Sequence, residues 1–266
     1  MKDLRDDEVR QAVRKTYANI AKADSAGCGC GPSSCCGEAE SSSAQDFSVK
    51  MGYSEDDVTT VPEGANMGLG CGNPQAIASL RPGETVLDLG SGGGFDCFLA
   101  AKSVGPGGHV IGVDMTPDMI SKARENAAKS QDHNVEFRLG EIEHLPVADS
   151  SIDVVMSNCV INLSPDKPKV YEEIFRVLKS GGRLAVSDIV ATAPLPDEVR
   201  KDIELHAACV AGASEIGEVE SMLKQAGFVN IRVKPIDASR ELIREWAQGR
   251  PVVDFIVSAT IEAIKP

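Results

Sequence analysis

From Thr85 onward, short runs rich in Val, Ile and Leu alternate with amphipathic helical stretches, and this alternation limits the fold more than anything else in the chain. The expected strands are Thr85–Leu89, His109–Val113, Val135–Leu139, Ile152–Ser157 and Arg183–Ile189. The expected helices among them are Gly94–Val104, Pro117–Ser130 and Lys167–Leu178. A strand that feeds a crossover helix comes back parallel to itself, so the pattern predicts an α/β fold with a doubly wound, mostly parallel sheet. After Val190 the order changes: Pro194 and Pro196 open a helix at Asp197–Ala211, and a second helix is expected at Glu215–Ala226. Strand Asn230–Ile236, helix Ser239–Gln248 and strand Val252–Ile264 follow, which together read as a small C-terminal α+β lid. Ahead of the alternation, Val9, Val13, Tyr17 and Ile20 form one apolar stripe on a helix from about Asp6 to Ala23. Between Ser25 and Ala44 the chain is mostly Gly, Ser and Cys with no face to bury, and reads as a flexible linker. Three segments result: helix and linker over 1–45, core over 46–190, lid over 191–266.

The core opens with strand residues running directly into Asp88-Leu89-Gly90-Ser91-Gly92-Gly93-Gly94. In an open parallel sheet the ligand sits outside the carboxyl ends of the strands, and glycines there let the backbone approach it closely. A dinucleotide fingerprint needs a third glycine at position 95, where this chain has Phe95. The loop instead reads Asp-x-Gly-x-Gly-x-Gly and resembles the first motif of the S-adenosylmethionine (SAM)-dependent methyltransferases, whose fold is Rossmann-like. Asp114 ends the next strand, twenty residues past Gly94, where a carboxylate can accept two hydrogen bonds from ribose hydroxyls. In Gly140-Glu141-Ile142-Glu143, the resemblance implies that Glu141 binds the adenine amino group and that Ile142 lines the adenine face. The expected cofactor residues are therefore Asp88, Gly90, Ser91, Gly92, Asp114, Met115, Glu141, Ile142 and Asn158. A dehydrogenase is the alternative at this level, and SAM binding without NADH binding separates the two.

Composition removes other classes. The net charge of −13 repels nucleic acid and anionic membrane surfaces, and no uncharged apolar run approaches the ~18 residues of a membrane span. Residues 1–15 are charged throughout with no apolar stretch of an export signal, so a soluble, cytoplasmic protein is expected, with its eight cysteines reduced.

Three of those cysteines fall where chemistry is expected. Cys159 directly follows the strand Ile152–Ser157 and faces the cofactor crevice. Cys71 lies in the loop Gly68-Leu69-Gly70-Cys71-Gly72-Asn73-Pro74, whose glycines suggest an exposed, reactive sulfur. Cys209 falls on the helix after the last core strand, three residues past His206. Any single cysteine is more often a small buried apolar residue, and Cys97 is assigned that role. The histidines His109, His133, His144 and His206 read as structural or surface groups. The segments Met51-Gly52-Tyr53-Ser54, Val61-Pro62-Glu63-Gly64-Ala65-Asn66 and Gly68 to Pro74 closely resemble the region ahead of the SAM loop in microbial arsenite methyltransferases, and the resemblance runs from about Met51 to Ser258. It implies that Cys71, Cys159 and Cys209 bind trivalent arsenic. It also implies an upstream redox cysteine, for which Cys28, Cys30, Cys35 and Cys36 compete and Cys35 or Cys36 is preferred as the transient partner of Cys71. An external thiol or thioredoxin would then restore the reduced state. Relative to longer family members the C-terminal part is short, which implies a reduced lid.

Trivalent arsenic prefers soft thiolate ligands and carries a lone pair, so three sulfurs leave that pair free at the apex of a pyramid. The thiolate is the reactive form and a free cysteine has a pKa of about 8.5, so activity should weaken at low pH. Two other functions fit parts of the sequence. One is methylation of a small organic acceptor such as a quinone, with the cysteines merely lining a pocket. The other is metal sequestration by Cys28-x-Cys30 and Cys35-Cys36, although their spacing matches no zinc pattern.

Overall fold

A computed structural model of the chain describes residues 2–23, 43–130, 132–246 and 254–266. Strand and helix alternate as expected through β1 (Thr85–Leu89), α5 (Phe95–Val104), β2 (His109–Asp114), α6 (Pro117–Lys129), β3 (Val135–Leu139), β4 (Ile152–Asn158), α7 (Lys167–Val177) and β5 (Leu178–Ala191). Ahead of them lie α1 (Lys2–Lys22), α2 (Ala44–Lys50), α3 (Glu55–Thr60) and α4 (Gln75–Ala78). After them come α8 (Asp197–Arg200), α9 (Ile203–Ala207), β6 (Ser214–Glu215), α10 (Ile216–Ala226), β7 (Val229–Ile236), α11 (Ser239–Trp246) and β8 (Ile256–Ile264).

The sheet runs β3-β2-β1-β4-β5-β8-β7, with β6 beside β5. β1 to β5 are mutually parallel, and β8 runs antiparallel to both β5 and β7. Because β1 has β2 on one side and β4 on the other, the chain order reverses there, and a crevice opens beyond the carboxyl ends of β1 and β4. Gly90 and Cys159 begin the two turns that flank it.

Both faces of β1, β2 and β4 are covered, which is why they read as nearly continuous apolar runs. Leu87, Leu89, Ile111, Val113 and Val155 pack toward Tyr171, Ile174 and Val177 of α7 and Leu223 of α10. Val86, Val110, Val154 and Met156 face the other way, onto Phe98 of α5 and Ile120 and Ala123 of α6. A third apolar cluster caps the carboxyl edge and joins Val9 and Val13 of α1, Leu205 of α9 and the three cysteines 71, 159 and 209.

The C-terminal segment does two things rather than one. β8 pairs along β5 from Ile256 to Ile264 and carries β7 with it, extending the sheet, while Ala207 at the end of α9 and the turn after it, Ala208 and Cys209, cover the crevice. The single helix expected at Asp197–Ala211 is two short ones, because the Asp202 carboxylate accepts from the Leu205 N–H at 3.0 Å and starts a new helix. Two short helices that the sequence reading did not place, α2 and α3, each open on a reciprocal cap, Ser43 with Asp46 and Ser54 with Asp57. Among the described residues no helix is long and apolar enough to cross a membrane.

Candidate active site

The crevice encloses about 230 Å3, several times the ~30 Å3 share of one water, so it admits a multi-atom ligand. Asp88, Gly90, Ser91, Gly92, Asp114, Met115, Ile142 and Asn158 all line it. Gly90 has φ +69°, and a Cβ there would stand 2.3 Å from Val160, so only glycine lets β1 turn against the strand-end turn that carries Cys159. The Asp114 carboxylate accepts from the Gly92 N–H at 3.0 Å and the Thr116 N–H at 2.8 Å, which tethers the glycine loop to the end of β2. Burial pushes Asp114 above the usual carboxylate range against those two donors. Among the described residues the Ser91 hydroxyl is buried without a hydrogen-bond partner. A raised buried acid and an orphaned hydroxyl beside open space fit a ligand that brings its own hydroxyls and polar groups, as SAM does.

Glu141 departs from expectation. Its carboxylate points to α1, where Arg14 pairs with it at 2.9 Å and Arg10 at 3.8 Å, and it does not line the crevice. Glu143 does: it is 4% exposed and accepts from Ser164 Oγ at 2.6 Å and Arg10 at 3.3 Å. The two acids are two positions apart on one turn, so one faces in and the other out.

Cys71, Cys159 and Cys209 converge. The Cys71 and Cys159 sulfurs lie within 4.8 Å of each other, the Cys209 thiol donates to the Cys159 carbonyl at 2.7 Å, and all three side chains share one buried cluster. Cys159 and Cys209 both hold left-handed backbone, with φ of 58° and 62°. Such conformations cost about 1 kcal/mol or more each and collect at functional sites. Cys209 lies in the turn after α9 rather than within a helix. Cys71, expected to be exposed, is 2% exposed, because distant parts of the chain cover its loop. Asn158 Oδ1 accepts from the Cys71 N–H at 3.0 Å, Asn158 Nδ2 donates to the Gly72 carbonyl at 2.8 Å, and Ser258 of β8 donates to the Cys71 carbonyl at 2.8 Å. Asn158 Nδ2 also donates to Tyr53 Oη, which in turn donates to Asp96 at 2.8 Å, so the loop is tied to the floor of the crevice.

The thiols are held neutral. Burial pushes Cys71 up to about 11. For Cys209 the hydrogen bond with Cys159 and then burial raise the thiol; for Cys159 the contact with Cys209 lowers it, but Cys71 and burial together outweigh that. Asp188, missed in the sequence, completes the group, with its carboxylate and the Cys71 and Cys159 sulfurs all within 4.8 Å of one another. It stands near the end of β5, so the strand-end rule that singled out Cys159 applied to it as well. Asp188 accepts from the Ile189 N–H, the Ile161 N–H and the Asn162 side chain, and burial still pushes it up to about 6. Cys97 is fully buried and donates to Asp88 at 3.3 Å, as a core residue. His206 touches the Leu163 carbonyl through Nε2 at 3.1 Å. Cys28, Cys30, Cys35 and Cys36 lie outside the described residues.

The chain is similar to known proteins in sequence and in fold. Residues 80–227 match the family described as a methyltransferase domain. An arsenite methyltransferase of Halobacterium salinarum is 54% identical over 98% of this chain and 67% of its own length. The human arsenite methyltransferase is 38% identical over 68% of this chain and 50% of its own length. The crystal structure of an arsenic (III) S-adenosylmethionine methyltransferase from Chlamydomonas reinhardtii superposes with a TM-score of 0.67 at 37% identity, covering 79% of this chain and 72% of that one. The chain thus spans about half to two thirds of the curated relatives it matches. A glycine loop at one end of the crevice, three buried cysteines gathered in one cluster at the other, and these likenesses together place the chain in the arsenite methyltransferase family.

Proposed function

We propose that this chain transfers the methyl group of SAM to trivalent arsenic held by Cys71, Cys159 and Cys209. The observation that carries the reading is the gathering of three buried cysteines in one cluster beside the crevice, two of which, Cys159 and Cys209, line it. Arsenite is As(OH)3, and each hydroxide leaves as water with one thiol proton, so the product As(SR)3 is neutral. A neutral complex suits an apolar cluster in which thiols are held protonated and a carboxylate lies alongside. A divalent metal on three thiolates would instead bury a net negative charge next to Asp188, which weighs against metal storage at this site.

Asp114 is suited to hold the ribose, Ser91 and the Gly90 to Gly92 backbone the polar tail, and Ile142 with Glu143 the adenine, a role that passes from Glu141 to the acid that faces inward. When bound, SAM supplies a methyl group on a positive sulfonium. The thiols fix the arsenic so that its lone pair points into the crevice, and no base is needed, because no proton moves in this step. Orientation of this kind contributes up to roughly 7–11 kcal/mol. The methylated arsenic is then formally pentavalent and cationic. A fourth thiolate, assigned to Cys35 or Cys36, attacks the arsenic-bound sulfur of Cys71; an S–S bond forms, the As–S bond breaks, and its electron pair returns to arsenic. Thioredoxin or a small thiol reduces the disulfide, in keeping with a cytoplasmic protein.

The test is formation of S-adenosylhomocysteine by the full chain with excess reduced thiol. Turnover that requires arsenite supports the proposal; turnover with a quinone and none with arsenite replaces it with the organic-acceptor function.

A further inference from the structure

Tyr17 belongs to the apolar stripe of α1, yet its surroundings are those of a site residue. Its ring packs on the thiol cluster and lines the crevice, which brings its hydroxyl beside the Cys209 sulfur. The same hydroxyl is near enough to Cys159 and Asp114 for both to act on it electrostatically, so the phenol stands between the thiols and the carboxylate assigned to ribose. α1 is pinned across the crevice by Arg10 to Glu143 at 3.3 Å, Arg14 to Glu141 at 2.9 Å and Lys22 to Asp118 at 3.2 Å, which fixes where the phenol sits.

The Cys209 thiol thus donates on one side, to the Cys159 carbonyl, and meets the Tyr17 hydroxyl on the other. When arsenic replaces the thiol proton, the donation to the carbonyl ends. Donation from Tyr17 to the sulfur remains open, because it needs only a sulfur lone pair. We infer that Tyr17 is a positioning residue for the substrate: its hydroxyl holds the Cys209 sulfur in place as the third arsenic ligand, which makes α1 a working part of the active site. The inference rests on the three-thiol reading above. A hydrogen bond between neutral groups contributes about 0.5–1.5 kcal/mol net, so loss of this one should weaken arsenite binding by up to about tenfold.

Tyr17→Phe keeps the packing ring and deletes one oxygen. Arsenite affinity of the full chain is measured by equilibrium dialysis with elemental detection in four proteins: wild type, Tyr17→Phe, Cys209→Ser and the double variant, with SAM affinity measured alongside by calorimetry. The expected result is about a tenfold loss from Tyr17→Phe when Cys209 is present, under about twofold when Cys209→Ser is already in place, and unchanged SAM affinity. No loss with Cys209 present, equal losses in both backgrounds, or a parallel loss of SAM affinity overturns the inference. If wild type and Cys209→Ser bind arsenite equally, the three-thiol reading fails first and takes the inference with it.

Discussion

Asn158→Ala removes a side chain that joins the two halves of the site. Its carboxamide accepts from the Cys71 N–H at 3.0 Å and donates to the Gly72 carbonyl at 2.8 Å and Tyr53 Oη at 3.0 Å. Each bond contributes about 0.5–1.5 kcal/mol net, so truncation should cost roughly 2–4 kcal/mol, short of the ~5–15 kcal/mol that holds a domain folded. The protein therefore folds, but the loop carrying Cys71 loses the clasp that sets its sulfur against Cys159. Urea unfolding should show the lower midpoint, and arsenite affinity should fall toward that of Cys71→Ser. Asn158→Asp retains the acceptor for Cys71 but puts a carboxylate where the amide now lies 3.4 Å from Asp96, so it should weaken binding as well. An Asn158→Ala protein of reduced stability with wild-type arsenite affinity would refute the idea that this clasp positions Cys71.

Gly70→Ala should mimic that loss, because φ is +121° and the new Cβ would stand 2.8 Å from the Asn158 amide; wild-type arsenite affinity in that variant contradicts the clasp. Glu141→Gln should change SAM affinity less than about twofold, since its partly exposed pair with Arg14 contributes only about 0–1 kcal/mol, whereas Glu143→Gln should weaken SAM clearly; calorimetry decides, and the reverse order restores Glu141 as the adenine residue. The thiol protons are held more tightly in the folded chain than in the unfolded one, so the arsenic-free protein keeps full stability below about pH 8.5 and loses it as pH rises toward about 11, the value for Cys71. Thermal scans should show that loss, and bound arsenite should remove it. For the same reason the arsenite association rate should climb steadily from pH 6 to 9 in stopped-flow mixing, and a plateau near pH 8 would contradict the burial account.

Legibility in the sequence followed the range of the contacts. β1 and β3 match their expected limits to the residue, β1 because Val86 to Leu89 are all buried, and β3 because Val135-Glu136-Phe137-Arg138-Leu139 alternates apolar and charged residues as a half-covered edge strand does. Cys159 was legible for a related reason: a strand end at the order reversal faces the ligand by topology alone. Asp188 obeyed the same rule and was overlooked because an acid at a strand end usually caps or solvates. The burial of Cys71 was not legible, since it depends on Ser258, 187 residues away, and on Asn158, 87 residues away. Glu141 and Glu143 could not be told apart because which acid turns inward depends on Arg10 and Arg14 of a helix more than a hundred residues upstream. Tyr17 read as packing because an aromatic at helical spacing gives no hint of what its hydroxyl meets.

The central claim is a three-thiol arsenic site, and X-ray absorption at the arsenic edge on the arsenite-loaded protein tests it most directly. Three sulfur neighbours and no oxygen in wild type, falling to two sulfurs and one oxygen in each of Cys71→Ser, Cys159→Ser and Cys209→Ser, is the predicted result. Oxygen ligands in wild type, or an unchanged sulfur count in any of the three variants, would contradict it.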